Sequence, residues 1–323
     1  MFPSILKGLG WFEGLQGPDG RIADLPFWHF QDWAAVGRDG LSTVLNAQLA
    51  GAFDAAATLA EHLGWPLKGQ RLTEQAARIR VALEPHWDPD RRVYVDSVDP
   101  ASGRRGERVS QHANAAMILW GGAEPSRYDD IVAYVTDPAR VRLTKAPPFV
   151  MEAETLDLRT QVVAANTFYS HFVYRALAKA GRFDVALQQM RQRYGPMLDR
   201  GATTLWESFE PEGSLAHGFS CTPTYQFVAN ILGVTPVEPG FARCRFSPWL
   251  GPLDFAEGVQ ATPRGDIAVT IRAAGDDYTA WIGLPAGVSA IVQPPAGWAS
   301  SAPAELAGGQ THTLVFKTTN PRA

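Results

Sequence analysis

Near Val234 the spacing of apolar residues changes from steps of three and four to steps of two. An amphipathic helix and a half-buried strand need these different periods, so the chain must hold a helical part and a β part. The stretch between them, TPVEPGF, has two prolines and a glycine and reads as a linker. The division therefore falls at 1–235 and 236–323, and each side is large enough to bury its own core.

In the first part Leu45, Leu49, Ala52, Ala56, Leu59 and Leu63 recur at helical steps over 41–63, which predicts one apolar face. Gly64 ends that helix and Pro66 lies just beyond. A second helix is expected over 69–85, with Leu72, Ala76, Ile79 and Leu83 inward. The run DPDRRVYVDSVDPASGRRG reads as turns. Further helices are expected over 110–119 (with Ser110 as N-cap), 126–135, 168–180, 183–198 and 223–232, the pair at 168–198 being broken at Gly181. Short connections between them predict antiparallel hairpins. In the second part Ile267, Val269 and Ile271 alternate with Ala268, Thr270 and Arg272, and Leu314 and Phe316 alternate with Thr313 and Val315. This predicts a small antiparallel β-sandwich, whose simplest role is to brace the helical part.

The net charge of −4, without a basic stripe, argues against nucleic acid as a partner. No apolar run approaches the ~20 residues of a membrane helix. The opening MFPSILKGLGWFEG lacks the apolar core of a secretory signal, which points to the cytoplasm. Cys221 and Cys244 make no disulfide framework, the seven histidines show no metal-ligand spacing, and no metal or cofactor is implied. Ten tryptophans are many for this length. They suit a core, and they also suit a sugar site, where a flat ring meets the C–H face of a pyranose.

The chemistry points to GATTLWESFEPEGSLAHG, residues 201–218. Glycosidic bonds are cleaved by paired carboxylates, one donating a proton to the leaving oxygen and, in inverting enzymes, the other deprotonating a water on the opposite face. Glu207 follows an apolar stretch that has to be held against a core. Glu210 and Glu212 flank Pro211 and read as solvated loop charges. His217, between Ala216 and Gly218, is either structural or placed to contact a sugar hydroxyl.

The ordered series Thr203, Thr204, Trp206, Glu207, His217, Leu232, Gly233, Val234, Pro236, Pro239, Gly240 and Phe241 resembles the end of the catalytic domain of family 78 glycoside hydrolases, the α-L-rhamnosidases. The runs TFYSHFVYRALAKAGRFDVALQQMRQRYGPML and LDFAEGVQATPRGDIAVTIR resemble the flanking parts of that family, and HFQDWAAVGRDG resembles its Phe-x-Asp-Trp segment. The resemblance implies an α+β multidomain chain, with an incomplete (α/α)6 six-hairpin toroid followed by the sandwich. It implies Glu207 as general base, and Trp33, Asp32, Trp206 and His217 as substrate-binding residues. Core packing for Trp33 and a loop-bracing role for Asp32 are the structural alternatives. The implied activity is inverting hydrolysis of terminal α-L-rhamnosides. The alternatives are a non-catalytic carbohydrate-binding fragment and a six-hairpin glycosidase for another sugar.

The departure from the pattern is that the family's general acid lies in an Arg-Asp-Glu-Arg motif, and no such run occurs here. A family ring has twelve helices, and seven or eight are expected here. The sequence thus reads as starting partway round the ring. The uncovered apolar faces predict either homo-oligomers or a complementing N-terminal fragment.

Overall fold

A computed structural model describes residues 1–27, 29–145, 156–211, 213–300 and 302–319. Glu212, expected as a loop charge, lies outside the described residues. The chain divides into two compact units, Met1–Ser220 and Cys221–Ala323. Among the described residues, no helix is long and apolar enough to cross a membrane.

The first unit is helical. α1 (Phe2–Glu13) has Pro3 in its first turn, a position where the missing N–H costs nothing. It was not anticipated, because glycines at 8 and 10 interrupt its pattern. α2 (Thr43–His62) and α3 (Pro66–Ala82) form a hairpin around Gly64, whose φ is +74°. Pro66 is the first residue of α3 rather than a spacer, so α3 begins three residues earlier than its apolar spacing suggests. Its inward face is as expected: Leu72, Ala76, Ile79 and Leu83 are fully buried.

The expected face of α2 needs correction. Leu49 and Ala56 are buried, but Leu59 and Leu63 are 42% and 53% exposed. The packed residues are Val44, Ala47, Ala50, Phe53, Ala57 and Ala60. Small residues win because α2 is packed on more than one side. At Gly51 an added Cβ would sit 2.5 Å from the Trp120 ring, so only glycine admits that indole.

α4 (Gln111–Ala116) is capped by Ser110, whose hydroxyl accepts from the Ala113 N–H at 3.1 Å. It runs into a π turn at Met117–Gly121. α5 (Tyr128–Val135) follows. α6 (Thr167–Lys179) and α7 (Phe183–Asp199) make a second hairpin, broken at Gly181 with φ +73°. Three two-residue strands lie side by side in parallel, Val109–Ser110 and Val141–Arg142 flanking Val162–Val163. Val109–Ser110 runs directly into α4 and Val162–Val163 leads within three residues into α6, so the N-termini of α4 and α6 are set next to each other. That juxtaposition positions the site.

The second unit opens with α8 (Thr222–Gln226), which continues as a π turn at Phe227–Ile231. Among the described residues nine strands follow: β1 (Val234–Pro236), β2 (Arg243–Phe246), β3 (Phe255–Gln260), β4 (Ile267–Ala274), β5 (Asp277–Leu284), β6 (Ser289–Val292), β7 (Trp298–Ser300), β8 (Glu305–Leu306) and β9 (Gln310–Thr318). They form a five-stranded sheet, β3-β4-β5-β9-β7, and a four-stranded sheet, β8-β6-β2-β1. Every ladder is antiparallel except β2 with β6. Ile267, Val269, Ile271, Leu314 and Phe316 face inward, as their alternation requires, while Val315 is 37% exposed. Tyr278 and Phe316 stack at 4.9 Å inside this core. Each such fully buried side chain stabilises the unit by roughly 1.5–3 kcal/mol.

Candidate active site

Residues 201–209 form no regular element, yet they are held by the segment that follows. The Glu207 N–H donates to the Ser214 carbonyl at 2.8 Å, and the His217 N–H donates to the Leu205 carbonyl at 2.9 Å. The Thr204 hydroxyl donates to the Leu215 carbonyl at 2.6 Å. The chain thus doubles back on itself, and ten residues of sequence separation become adjacency of Glu207 and His217.

The Glu207 carboxylate is gripped at both oxygens. The Trp33 indole N–H donates to Oε1 at 3.0 Å, and the Ser214 backbone N–H donates to Oε2 at 3.0 Å. His217 Nδ1 lies 3.7 Å from Oε2, too long for a hydrogen bond but close enough for a charge interaction when the ring is protonated. Gly213 has φ +78°, and a Cβ there would lie 2.7 Å from Oε2. Glycine is therefore required twice over, for the left-handed turn and for the close approach. The side chain keeps 15% of its surface exposed. Both donors are neutral, and two donors leave about two of its roughly four lone-pair sites for a water.

Around the carboxylate runs a circuit of rings. Trp33 meets Phe30 at 5.1 Å, Phe30 meets Phe168 at 5.2 Å, Phe168 meets Phe219 at 5.3 Å, and Phe219 meets His217 at 4.0 Å. All five rings are only partly buried or at the edge of exposure. A carboxylate ringed by edge-packed aromatics can hold a polar, C–H-rich ligand while presenting an acceptor to one of its atoms.

Beneath this layer lies a buried polar one. Asp32, expected to contact sugar, is 0% exposed and so cannot. Its Oδ2 accepts from His112 Nε2 at 2.8 Å and from the Asn166 N–H at 2.7 Å, and its Oδ1 accepts from the Trp33 N–H at 2.9 Å. Burying an ionisable carboxylate is costly unless its oxygens are bonded, and here three donors bond the two oxygens. Asp32 sets the backbone of Trp33 instead. Trp206 is likewise only 6% exposed, with the Arg200 guanidinium 5.9 Å from its ring, and it offers no open face to a ligand. Glu210 is only partly exposed, its N–H bonded to the Ser208 hydroxyl at 3.3 Å.

Sequence reasoning missed Asn166, Thr167, Phe168 and Phe219. The N-cap signature of Asn166 was present, but a cap looks the same in sequence whether or not it also serves a site. A second buried acid lies close by: Asp96 is raised above the usual carboxylate range by burial, against which the Ser110 hydroxyl and the Gly37 N–H pull it down. Among the described residues no group of three or more His, Cys, Asp or Glu side chains is arranged to hold a metal.

Residues 233–305 match a family profile described as the bacterial α-L-rhamnosidase C-terminal domain. The chain is similar to an α-L-rhamnosidase of Alteromonas sp. (strain LOR), 35% identical over 237 residues, which is 67% of this chain and 25% of that protein. Among solved structures it is similar to a family 78 rhamnosidase of Bacillus sp. GL1, with TM-score 0.76 and 27% identity over 91% of this chain and 30% of that one. An α-L-rhamnosidase from Dictyoglumus thermophilum shares the fold, with TM-score 0.72 and 16% identity over 98% of this chain and 36% of that one. The chain thus spans about a quarter to a third of the length of these proteins.

Proposed function

Because the chain belongs, over the portion it spans, with the α-L-rhamnosidases of glycoside hydrolase family 78, we propose that it acts in the inverting hydrolysis of terminal α-L-rhamnosides, with Glu207 as the general base. The observation that carries this reading is the two-point grip on Glu207. A base must stay oriented while it accepts a proton, and the Trp33 and Ser214 N–H groups orient it without supplying a proton that could compete.

In the proposed step a water bound to a free lone pair of Glu207 attacks the anomeric carbon. Its proton passes to the carboxylate as the carbon–oxygen bond to the leaving group breaks. The sugar ring rests against the aromatic circuit, and His217 faces its hydroxyls. Residues 1–235 carry this chemistry. The leaving oxygen needs a proton, and the Arg-Asp-Glu-Arg run that resemblance associates with the donor is not in this sequence. General acid assistance is worth ~10²–10⁴-fold. A dinitrophenyl rhamnoside, whose phenolate leaves unassisted, is therefore the substrate on which this chain is best tested. Proton NMR of the fresh product should show the β-anomer first; the α-anomer first would exclude inversion.

A second reading, carbohydrate binding without turnover, rests on the same partly exposed aromatic circuit. Calorimetry with rhamnose alongside the turnover assay separates the two. A screen of other aryl glycosides tests whether the sugar is rhamnose at all.

A further inference from the structure

We infer that Asn166 is the positioning residue that fixes Trp33 and Glu207 with respect to each other. This rests on the reading of Glu207 as the acting carboxylate, but it is tested separately from it. Asn166 is 3% exposed, at the N-cap of α6, and it touches both segments of the site. Its Nδ2 donates to the Trp33 carbonyl at 3.2 Å and to the Ser208 hydroxyl at 3.1 Å. Its Oδ1 accepts from the Phe209 N–H at 3.0 Å as well as from the Thr167 N–H at 2.8 Å. Its own N–H donates to Asp32. The next residue, Thr167, donates its hydroxyl to the Glu207 carbonyl.

These bonds divide into two sets. The Thr167 N–H bond is local, linking Asn166 to the first residue of its own helix. The other side-chain bonds reach positions 33, 208 and 209, which flank the Trp33–Glu207 contact on both sides. The carboxamide donates twice, to the Trp33 carbonyl and the Ser208 hydroxyl, while accepting from two N–H groups, whereas a hydroxyl has a single hydrogen to donate. Aspartate and serine preserve the cap but lack the amide N–H that reaches the Trp33 carbonyl.

The test uses the full chain with ¹⁵N-labelled tryptophan. The Trp33 indole N–H resonance, identified by its loss in Trp33→Phe, is followed through a pH titration and in water-exchange measurements. In the wild type it should follow the protonation of Glu207, and Glu207→Gln should abolish that dependence. In folded Asn166→Asp and Asn166→Ser, with the other tryptophan indoles unshifted, indole exchange should rise ~10-fold, the effect of losing about one net hydrogen bond. The pH dependence of the Trp33 resonance should weaken in parallel. An unchanged Trp33 resonance, exchange rate and titration in either folded variant would overturn the inference. Rhamnoside turnover is not part of this readout, so failure of the functional proposal leaves the result intact.

Discussion

Trp33 donates its indole N–H to Oε1 of Glu207 at 3.0 Å, across 174 residues of sequence. The contact joins the loop ahead of α2 to the irregular segment after α7, and every other feature of the site is arranged around it. Removing only the donor should therefore affect chemistry more than folding. A hydrogen bond to a charged group is worth roughly 1.5–3 kcal/mol, so Trp33→Phe should lower kcat/KM by about 10–100-fold. Steady-state kinetics with an aryl rhamnoside checks this, with the melting temperature as control.

The opposite edge of the same carboxylate is held by the Gly213–Ser214 turn. Gly213→Ala places a Cβ against Oε2 and puts a side chain at positive φ. The strain should cost about 1–2 kcal/mol of stability. The larger effect should be on turnover, because the carboxylate must swing away from the Ser214 N–H. Urea unfolding and kinetics on the same preparation separate the two losses.

Asp32 belongs to the scaffold, and its substitution should behave accordingly. Asp32→Asn puts an amide donor either against both His112 Nε2 and the Asn166 N–H, in place of Oδ2, or against the Trp33 N–H, in place of Oδ1, and all three already donate. Stability should fall by about 3 kcal/mol, the scale seen when a buried charged partner is removed. A stability change below about 0.5 kcal/mol in urea unfolding would be that of an ordinary surface substitution and would mean Asp32 does not brace the site.

How much of this was legible in the sequence follows from what the contacts depend on. The hairpins and the sandwich were readable because burial imposes a period: Leu72, Ala76, Ile79 and Leu83 line one face of α3, and Ile267, Val269 and Ile271 one face of β4. Glu207, His217 and Trp33 could be singled out by residue type and resemblance, and the structure brings them together. What could not be read is depth. Asp32 and Trp206 sit beside Trp33 and Glu207 in sequence, yet both are buried, because neighbours in an extended segment point to different sides. Nor could the face of α2 be read from its leucines, since close packing selected alanines over Leu59 and Leu63. Asn166 shows only the signature of a helix cap, and only the tertiary fold gives it two segments to join.

Away from the site, His86 is a source of acid sensitivity. Burial first, and the Arg21 guanidinium second, lower it from 6.5 to about 3. The geometry agrees: the Thr43 hydroxyl donates to the Val95 carbonyl and so accepts from His86 Nδ1, while Arg21 Nη1 donates to Nε2 at 3.1 Å. The unfolded chain takes up a proton below about pH 6.5 and the folded chain only near pH 3. Stability is therefore full above pH 6.5 and falls as the pH drops through this window, by about 3 kcal/mol at pH 4.5. Urea unfolding at pH 7 and pH 4.5 should show that loss, and His86→Gln should remove most of it.

The account turns on Glu207. The direct measurement is turnover of a dinitrophenyl α-L-rhamnoside by the wild type and by Glu207→Gln, with both shown to be folded by near-ultraviolet circular dichroism. Glutamine keeps the shape of the side chain and cannot take the proton, so the rate should fall by ~10²-fold or more. Equal rates in the two proteins, or a wild-type rate no higher than the uncatalysed one, would contradict the account.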